Sequence, residues 1–217
     1  MSRVNKISQP LLYWDRLFAP SSCLAMITTV DTEGRPNIAS YGTCTRVNHK
    51  PVYIAFTTSM NKDTAKNVLA TGEFTVNLPP FERDILEKVR ICGLPFAPGV
   101  SEFEKSGLTP MPATILKPPR IVECNRHFEC VVEWTREWTG EGRLMVCGKL
   151  VAASVDSDCV GKDGYLLWDK AKSAHYCGGP YGGMFVAAYE TMSVDRPYEG
   201  PEVAVAEKEH HAMYDEL

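Results

Sequence analysis

The 217-residue chain has no apolar run near the ~20 residues that a helix needs to cross a bilayer. It lacks a basic excess too. Twenty-three Lys and Arg stand against 27 Asp and Glu, a net charge of -4, which argues against a general binder of nucleic acid or anionic membranes. Neither GxGxxG nor GxxxxGK[ST] occurs, and strands do not alternate regularly with helices, which argues against a Rossmann domain and a P-loop. HExxH and GxSxG are missing, so zinc-protease and α/β-hydrolase chemistry has no support. The opening MSRVNKISQPLLYWDRLF is too polar and aromatic for a secretory signal. No internal repeat is present.

Cysteine is plentiful, but no CxxC occurs among Cys23, Cys44, Cys92, Cys124, Cys130, Cys147, Cys159 and Cys177. Most lie in apolar, strand-like runs where a thiol packs as a small hydrophobe. A disulfide framework belongs to short secreted chains, and a chain of this length buries about 70% of its unfolded surface without such staples. The expected compartment is a reducing cytoplasm. Cys124, His127 and Cys130 form a local cluster, but a strand over 121–134 would turn His127 away from the two cysteines, leaving no tetrahedral metal site.

Short strands dominate the pattern. CLAMITTV (23–30) and VYIAFT (52–57) are apolar on both faces, as in a barrel wall covered from outside. DTEGRP (31–36) makes a turn and NIASYGTCT (37–45) the returning strand. EFTVNL (73–78) alternates, and HFECVVEWT (127–135) and RLMVCGKLVAASV (143–155) are long strands with Gly140 and Gly142 between them. One more short strand is expected at Tyr165–Trp168. Residues 62–70 place Ala65, Val68 and Leu69 on one helical face, with Thr71-Gly72 ending the helix, and 81–91 repeat the spacing with Phe81, Ile85, Leu86 and Val89. Residues 94–119 read as a long excursion. The organisation is an N-terminal extension (1–19), one mainly β domain with helical inserts (20–190), and a polar C-terminal arm (191–217).

The chemistry-bearing stretch is TTSMNKDT (57–64), where a buried strand runs into a helix. A helix start offers unpaired N–H groups and partial positive charge. Thr58, Ser59 and Thr64 add hydroxyls and Lys62 adds a charge that opposes the helix dipole unless an anion sits there. An ordinary capped helix, with Asp63 offsetting the lysine, is the competing interpretation.

GRPN at 34–37, TRVNHKP at 45–51, KDT at 62–64, GEFTVN at 72–77 and SGLTP at 106–110 stand in register. In that order the chain resembles the flavin reductase-like family of split β-barrels that bind flavin mononucleotide (FMN), across about residues 20–180. The resemblance implies that Thr43, Cys44 and Thr45 lie along the isoalloxazine edge. It also implies that Thr58, Ser59, Lys62, Asp63 and Thr64 hold the phosphate, and that Asn77 ends a strand near the flavin. Asp63 suits capping the helix or orienting Lys62 better than meeting a phosphate. HYCGGPYGG (175–183) departs from the usual family ending, and His175 is a candidate proton donor or nicotinamide contact beside a structural role.

The implied activity is reduction of flavin by NADH or NADPH, with electrons leaving to a flavin or protein acceptor. An FMN electron carrier resembling the flavoredoxins, and a flavin-free binding module, are the competing functions. A homodimer is expected because a split barrel leaves an open side to cover. No nucleic-acid or membrane partner is expected. Cys44, without a CxxC neighbour, is expected to tune the flavin rather than exchange electrons with it. The short hairpin places it opposite a residue near Cys23, which leaves a disulfide geometrically open.

Overall fold

The hairpin at Asp31–Pro36 organises the first third of the molecule. Asp31 Oδ1 accepts from the backbone N–H groups of Glu33 and Arg35, both at 2.9 Å, and Gly34 takes the left-handed conformation that closes the turn, φ 81°. Strand β1 (Cys23–Val30) therefore folds back on β2 (Pro36–His49). The computed structural model describes residues 6–10, 17–20, 22–97, 99–138, 140–177, 183–188 and 190–192. The C-terminal arm from residue 193, residues 178–182 of the glycine-rich run, and most of the N-terminal extension lie outside the described residues.

Four more strands complete a barrel: β3 (Val52–Ser59), β4 (Glu73–Leu78), β7 (Arg126–Trp138) and β8 (Arg143–Val155). Their order is β1-β2-β3-β8-β7-β4, every neighbouring pair is antiparallel, and β4 returns to β1. The open side anticipated from sequence is not there: closure gives every barrel strand a partner on both edges.

Alternation along the strands then fills two cores. Ala25, Ile27, Phe56, Phe74, Val76 and Val146 point inward, with Phe56 and Phe74 edge-on at 5.2 Å. Each such aromatic contributes on the order of 1.5–3 kcal/mol by leaving water. Leu24 and Met26 point outward and are covered by Ile85, Leu86 and Val89 of helix α2 (Arg83–Ile91). This is why β1 reads apolar on both faces. Cys130 belongs to the inner core, while Cys124 precedes β7 and packs in the outer one.

Helix α1 (Asp63–Thr71) plugs one end of the barrel through Ala65 and Val68, and Gly72, φ 72°, ends it by donating to the Val68 carbonyl. Leu69, expected on the buried face, is 51% exposed. Asn67 turns inward instead because the hydroxyl of Thr29 accepts its amide at 3.0 Å. The excursion after α2 carries the short helix α3 (Glu102–Ser106) and the two-residue ribbon β5 (Pro110–Met111) and β6 (Arg120–Ile121). It is tied to the barrel by Glu129, whose buried carboxylate accepts the backbone N–H groups of Thr114, Ile115 and Leu116 at 2.6, 2.8 and 3.0 Å. Burial pushes that carboxyl up, but these donors outweigh it and its pKa lies below the usual value.

Tyr165–Trp168 is not a strand. Leu166 makes a single bridge to Val160, and Trp168–Ala171 forms a helical turn, α4, before β9 (Ser173–Tyr176) and β10 (Phe185–Ala188). Among the described residues, no helix is long and apolar enough to cross a membrane.

Candidate functional site

Where β3 runs into α1, a cleft of about 470 Å³ opens on the barrel. Its size falls within the range of roughly 300–1,000 Å³ common for small-molecule sites. Two motifs far apart in sequence meet at its base. Asn37, the last residue of GRPN, donates from Nδ2 to Thr64 Oγ1 of the KDT helix start at 3.1 Å and to Thr29 Oγ1 at 3.4 Å. The turn thereby sets where the helix begins.

The helix start leaves donors without a side-chain partner. Its cap position is Lys62, in an extended conformation, and no side chain caps the first-turn N–H groups. Those groups carry the positive end of the helix dipole. Lys62, Lys66 and Arg143 line the same cleft, against the carboxylates of Asp63 and Glu102. Asp63 is engaged by Lys66 Nζ at 2.8 Å, so it neither caps the helix nor orients Lys62. Glu102 is pushed above the ordinary glutamate pKa, first by burial, with the Asp63 charge adding to it.

Arg143 was invisible to sequence reasoning. It opens β8, is paired in register with Ser59, and donates from Nη1 to Ser59 Oγ at 3.3 Å. Only strand pairing brings it across 84 positions. Lys66 was legible in principle, because it follows Lys62 by four positions at the same helix start.

The expected residues divide. Thr43, Thr58, Ser59, Lys62, Asp63 and Thr64 line the cleft. Thr58 and Thr64 are almost fully buried and already engaged, Thr58 with the Tyr41 hydroxyl at 2.9 Å and Thr64 with Asn37, so they shape the floor more than they offer free donors. Thr43 stands beside Thr57 on the outer face of the barrel, their hydroxyls 3.1 Å apart. Tyr41, Leu94, Pro95 and Phe96 give the other end of the cleft an apolar character.

Four expected residues lie elsewhere. Cys44 is 2% exposed and points into the inner core, because alternation along β2 sends it opposite to Thr43. Thr45 faces outward one step beyond the cleft, and its hydroxyl donates to the Arg46 carbonyl. Asn77 is fully buried as a structural pin. Its Nδ2 donates to the Met26 carbonyl at 3.1 Å, and its Oδ1 accepts from Ile121 N–H at 3.1 Å and from His127 Nδ1–H at 2.9 Å. Because that oxygen only accepts, His127 carries its proton on Nδ1. Burial first, then the Arg120 charge, holds the His127 pKa down at about 4. His175 hydrogen-bonds the Ser22 carbonyl at 3.0 Å and lines a separate small cavity. Its neighbour Tyr176 is the residue that approaches the site. Tyr176 lines an adjoining recess of about 300 Å³ that shares Tyr41, Gly42 and Gly93 with the cleft.

Comparison with known proteins identifies the family of the chain. Residues 17–176 match the family model described as flavin reductase like domain. A protein of Aquifex aeolicus is 39% identical over 112 residues, 49% of this chain and 56% of that protein, so the match spans little more than half of that relative. A protein of Methanothermobacter thermautotrophicus is 30% identical over 183 residues, covering 75% of this chain and 84% of the relative. Among solved structures, 2-nitrobenzoate 2-nitroreductase of Pseudomonas fluorescens superimposes with a TM-score of 0.75 at 23% identity, over 91% of this chain and 98% of that one.

Proposed function

The chain belongs to the flavin reductase like family, and from that premise we propose that it binds FMN in the cleft at the start of α1 and works as an oxidoreductase reduced by NADH or NADPH. When bound, FMN supplies the redox chemistry, accepting a hydride and passing electrons on. The chain's own residues bind and orient it. The uncapped first turn of α1, Lys62, Arg143 and the Ser59 hydroxyl are the phosphate partners, and Thr43 with Thr57 presents hydroxyls toward the ring's polar edge. Leu94–Phe96 and Tyr41 give the ring an apolar wall that limits water.

The observation that carries this proposal is the convergence of an uncapped helix start with Lys62 and Arg143, from distant segments, in one cleft of cofactor size. A helix that needed only an ordinary cap would have no use for a lysine at the cap position.

Two copies of the chain would complete the site. Closure of the barrel removes sheet edges as the reason for pairing, and exposed apolar side chains take their place: Val131, Trp134, Trp138 and Val151, each about 40% exposed, on β7 and β8. Trp138 pairs with Arg143, which pairs with Ser59, so this face runs into the cleft. A reducing cytoplasm suits eight free thiols.

The test is to purify the full chain, add FMN in excess, and read the flavin absorbance of the protein fraction. NADH or NADPH is then added without oxygen. Bleaching by the nucleotide supports the reductase; bound FMN that only a protein donor reduces makes the chain an electron carrier. A protein that stays colourless at excess FMN refutes the proposal.

A further inference from the structure

The strand register joins two cysteines that have no neighbour in sequence. Cys23 on β1 lies directly opposite Cys44 on β2, just before a bulge between Cys23 and Ala25. Directly opposed residues on antiparallel strands have Cα atoms roughly 4.5–5.5 Å apart, inside the span that a disulfide bridges. Both side chains turn the same way, with Cys23 packing against the cluster that contains Cys44. Cys23 Sγ lies 3.3 Å from the Cys44 carbonyl oxygen.

Access separates the two thiols. Seven of the eight cysteines are buried, and Cys23 is the exception. It lines a cavity of about 160 Å³ together with Arg126 and His175, and this space admits a molecule the size of hydrogen peroxide. The guanidinium is held beside the cavity, with Nη2 donating to Ser173 Oγ at 2.9 Å and Nε to Asn125 Oδ1 at 3.2 Å.

We propose that Cys23 is a reactive thiol that hydroperoxides oxidise and that Cys44 resolves, giving a reversible Cys23–Cys44 disulfide across the β1–β2 hairpin. The electrostatics agree with the geometry. The hydrogen-bonding interaction between the two side chains, with the Arg126 charge adding to it, holds the Cys23 pKa below the ordinary thiol value despite partial burial. Cys44 moves well above it, through the same interaction first and then through its burial. A less buried thiol of lowered pKa facing a buried thiol of raised pKa is the arrangement of an attacking and a resolving cysteine.

The chemistry balances. The Cys23 thiolate attacks one peroxide oxygen, forming an S–O bond as the O–O bond breaks, and the leaving oxygen departs protonated as water or an alcohol. Cys44 sulfur then attacks the sulfenic sulfur, losing its proton as the S–O bond breaks and water leaves. Two thiols are oxidised by two electrons to one disulfide, and the peroxide is reduced. A dithiol reverses the bond. None of these steps needs FMN, so the inference stands or falls apart from the proposed cofactor.

The experiment uses the full chain, reduced, desalted and exposed to equimolar hydrogen peroxide, then alkylated and weighed. Wild type should lose two hydrogens in mass and recover them with dithiothreitol. Peptides must be cut at Glu33, because Arg35 precedes Pro36 and trypsin leaves both cysteines in one peptide. The linked pair should contain Cys23 and Cys44. Cys44→Ser, and Cys44→Ala should the buried hydroxyl impair folding, should stop at a dimedone-reactive sulfenic acid on Cys23. In unoxidised protein Cys23 should alkylate at least about tenfold faster than any other cysteine. Oxygen added to Cys23 of wild type with Cys44 left as a thiol, a disulfide between other cysteines, or Cys23 reacting no faster than the rest would each overturn the proposal.

Discussion

Replacing Lys62 by alanine separates an anion site from an ordinary helix start. Lys62 occupies the cap position of α1 and is exposed, so solvent screens its charge, and Arg143 and Lys66 remain in the cleft after the change. A fully desolvated charged hydrogen bond would be worth more, but an exposed one sharing its anion with two other cations should contribute about 1–2 kcal/mol. FMN affinity should therefore fall by about five- to thirtyfold. Riboflavin has the same ring without the phosphate, so its affinity should change by less than about twofold. The effect on FMN should shrink with added salt as the Debye length shortens. Quenching of flavin fluorescence on titration with protein measures both ligands on the same scale. The helix itself should not weaken, because removing a cation from its N-terminus relieves an unfavourable dipole contact. Equal losses for FMN and riboflavin, or no loss for either, would show that Lys62 does not meet a phosphate, and the assignment of this end of the cleft would fail.

Asn77→Ala should lower the melting temperature by removing buried hydrogen bonds to Met26, Ile121 and His127, at a cost of about 2–4 kcal/mol. The folded fraction should bind FMN as wild type does; a selective loss of FMN affinity would return Asn77 to the site. Gly148→Ala drives a methyl into the ring of Phe74 and to 2.9 Å from Cys130, both fully buried, so overpacking should destabilise the barrel by about 1–3 kcal/mol in urea unfolding. An unchanged urea midpoint would mean that the inner core can yield there. His127, neutral when folded with a pKa of about 4 against an ordinary 6.5, contributes stability that is complete above pH 6.5. That contribution is lost as the pH falls toward about 4, so His127→Gln should flatten this part of the stability profile, and an unchanged profile would refute the assignment. Glu129, also held below its ordinary pKa, keeps its contribution above the ordinary glutamate value and loses it at lower pH, so Glu129→Gln should remove the most acidic part of the profile. Trp134→Glu should abolish the dimer in sedimentation at micromolar concentration, and a wild-type monomer with FMN bound would defeat the dimer itself.

The sequence by itself determined the barrel strands, because alternation and turn residues are local. DTEGRP carries its turn chemistry within six consecutive residues, and 73–78 and 143–155 alternate over the ranges that became β4 and β8. The helix start at Lys62 was legible for the same reason, since strand, hydroxyl cluster and helix follow one another along the chain. Tertiary structure decided what side each residue faces and who stands opposite. Cys44 is separated from Thr43 by one bond of the chain, yet the pleat sends one into the core and the other to the cleft. Asn77 ends a strand, as expected, but closure of β4 onto β1 and β7 seals it inside. Arg143 reaches Ser59, and Cys23 reaches Cys44, only through register, which depends on bulges and loop lengths that no local window contains. A short-range pattern can name the residues able to hold a phosphate or carry a reactive thiol. Which of them meet is set by long-range pairing, whose energy comes from burying both cores at once.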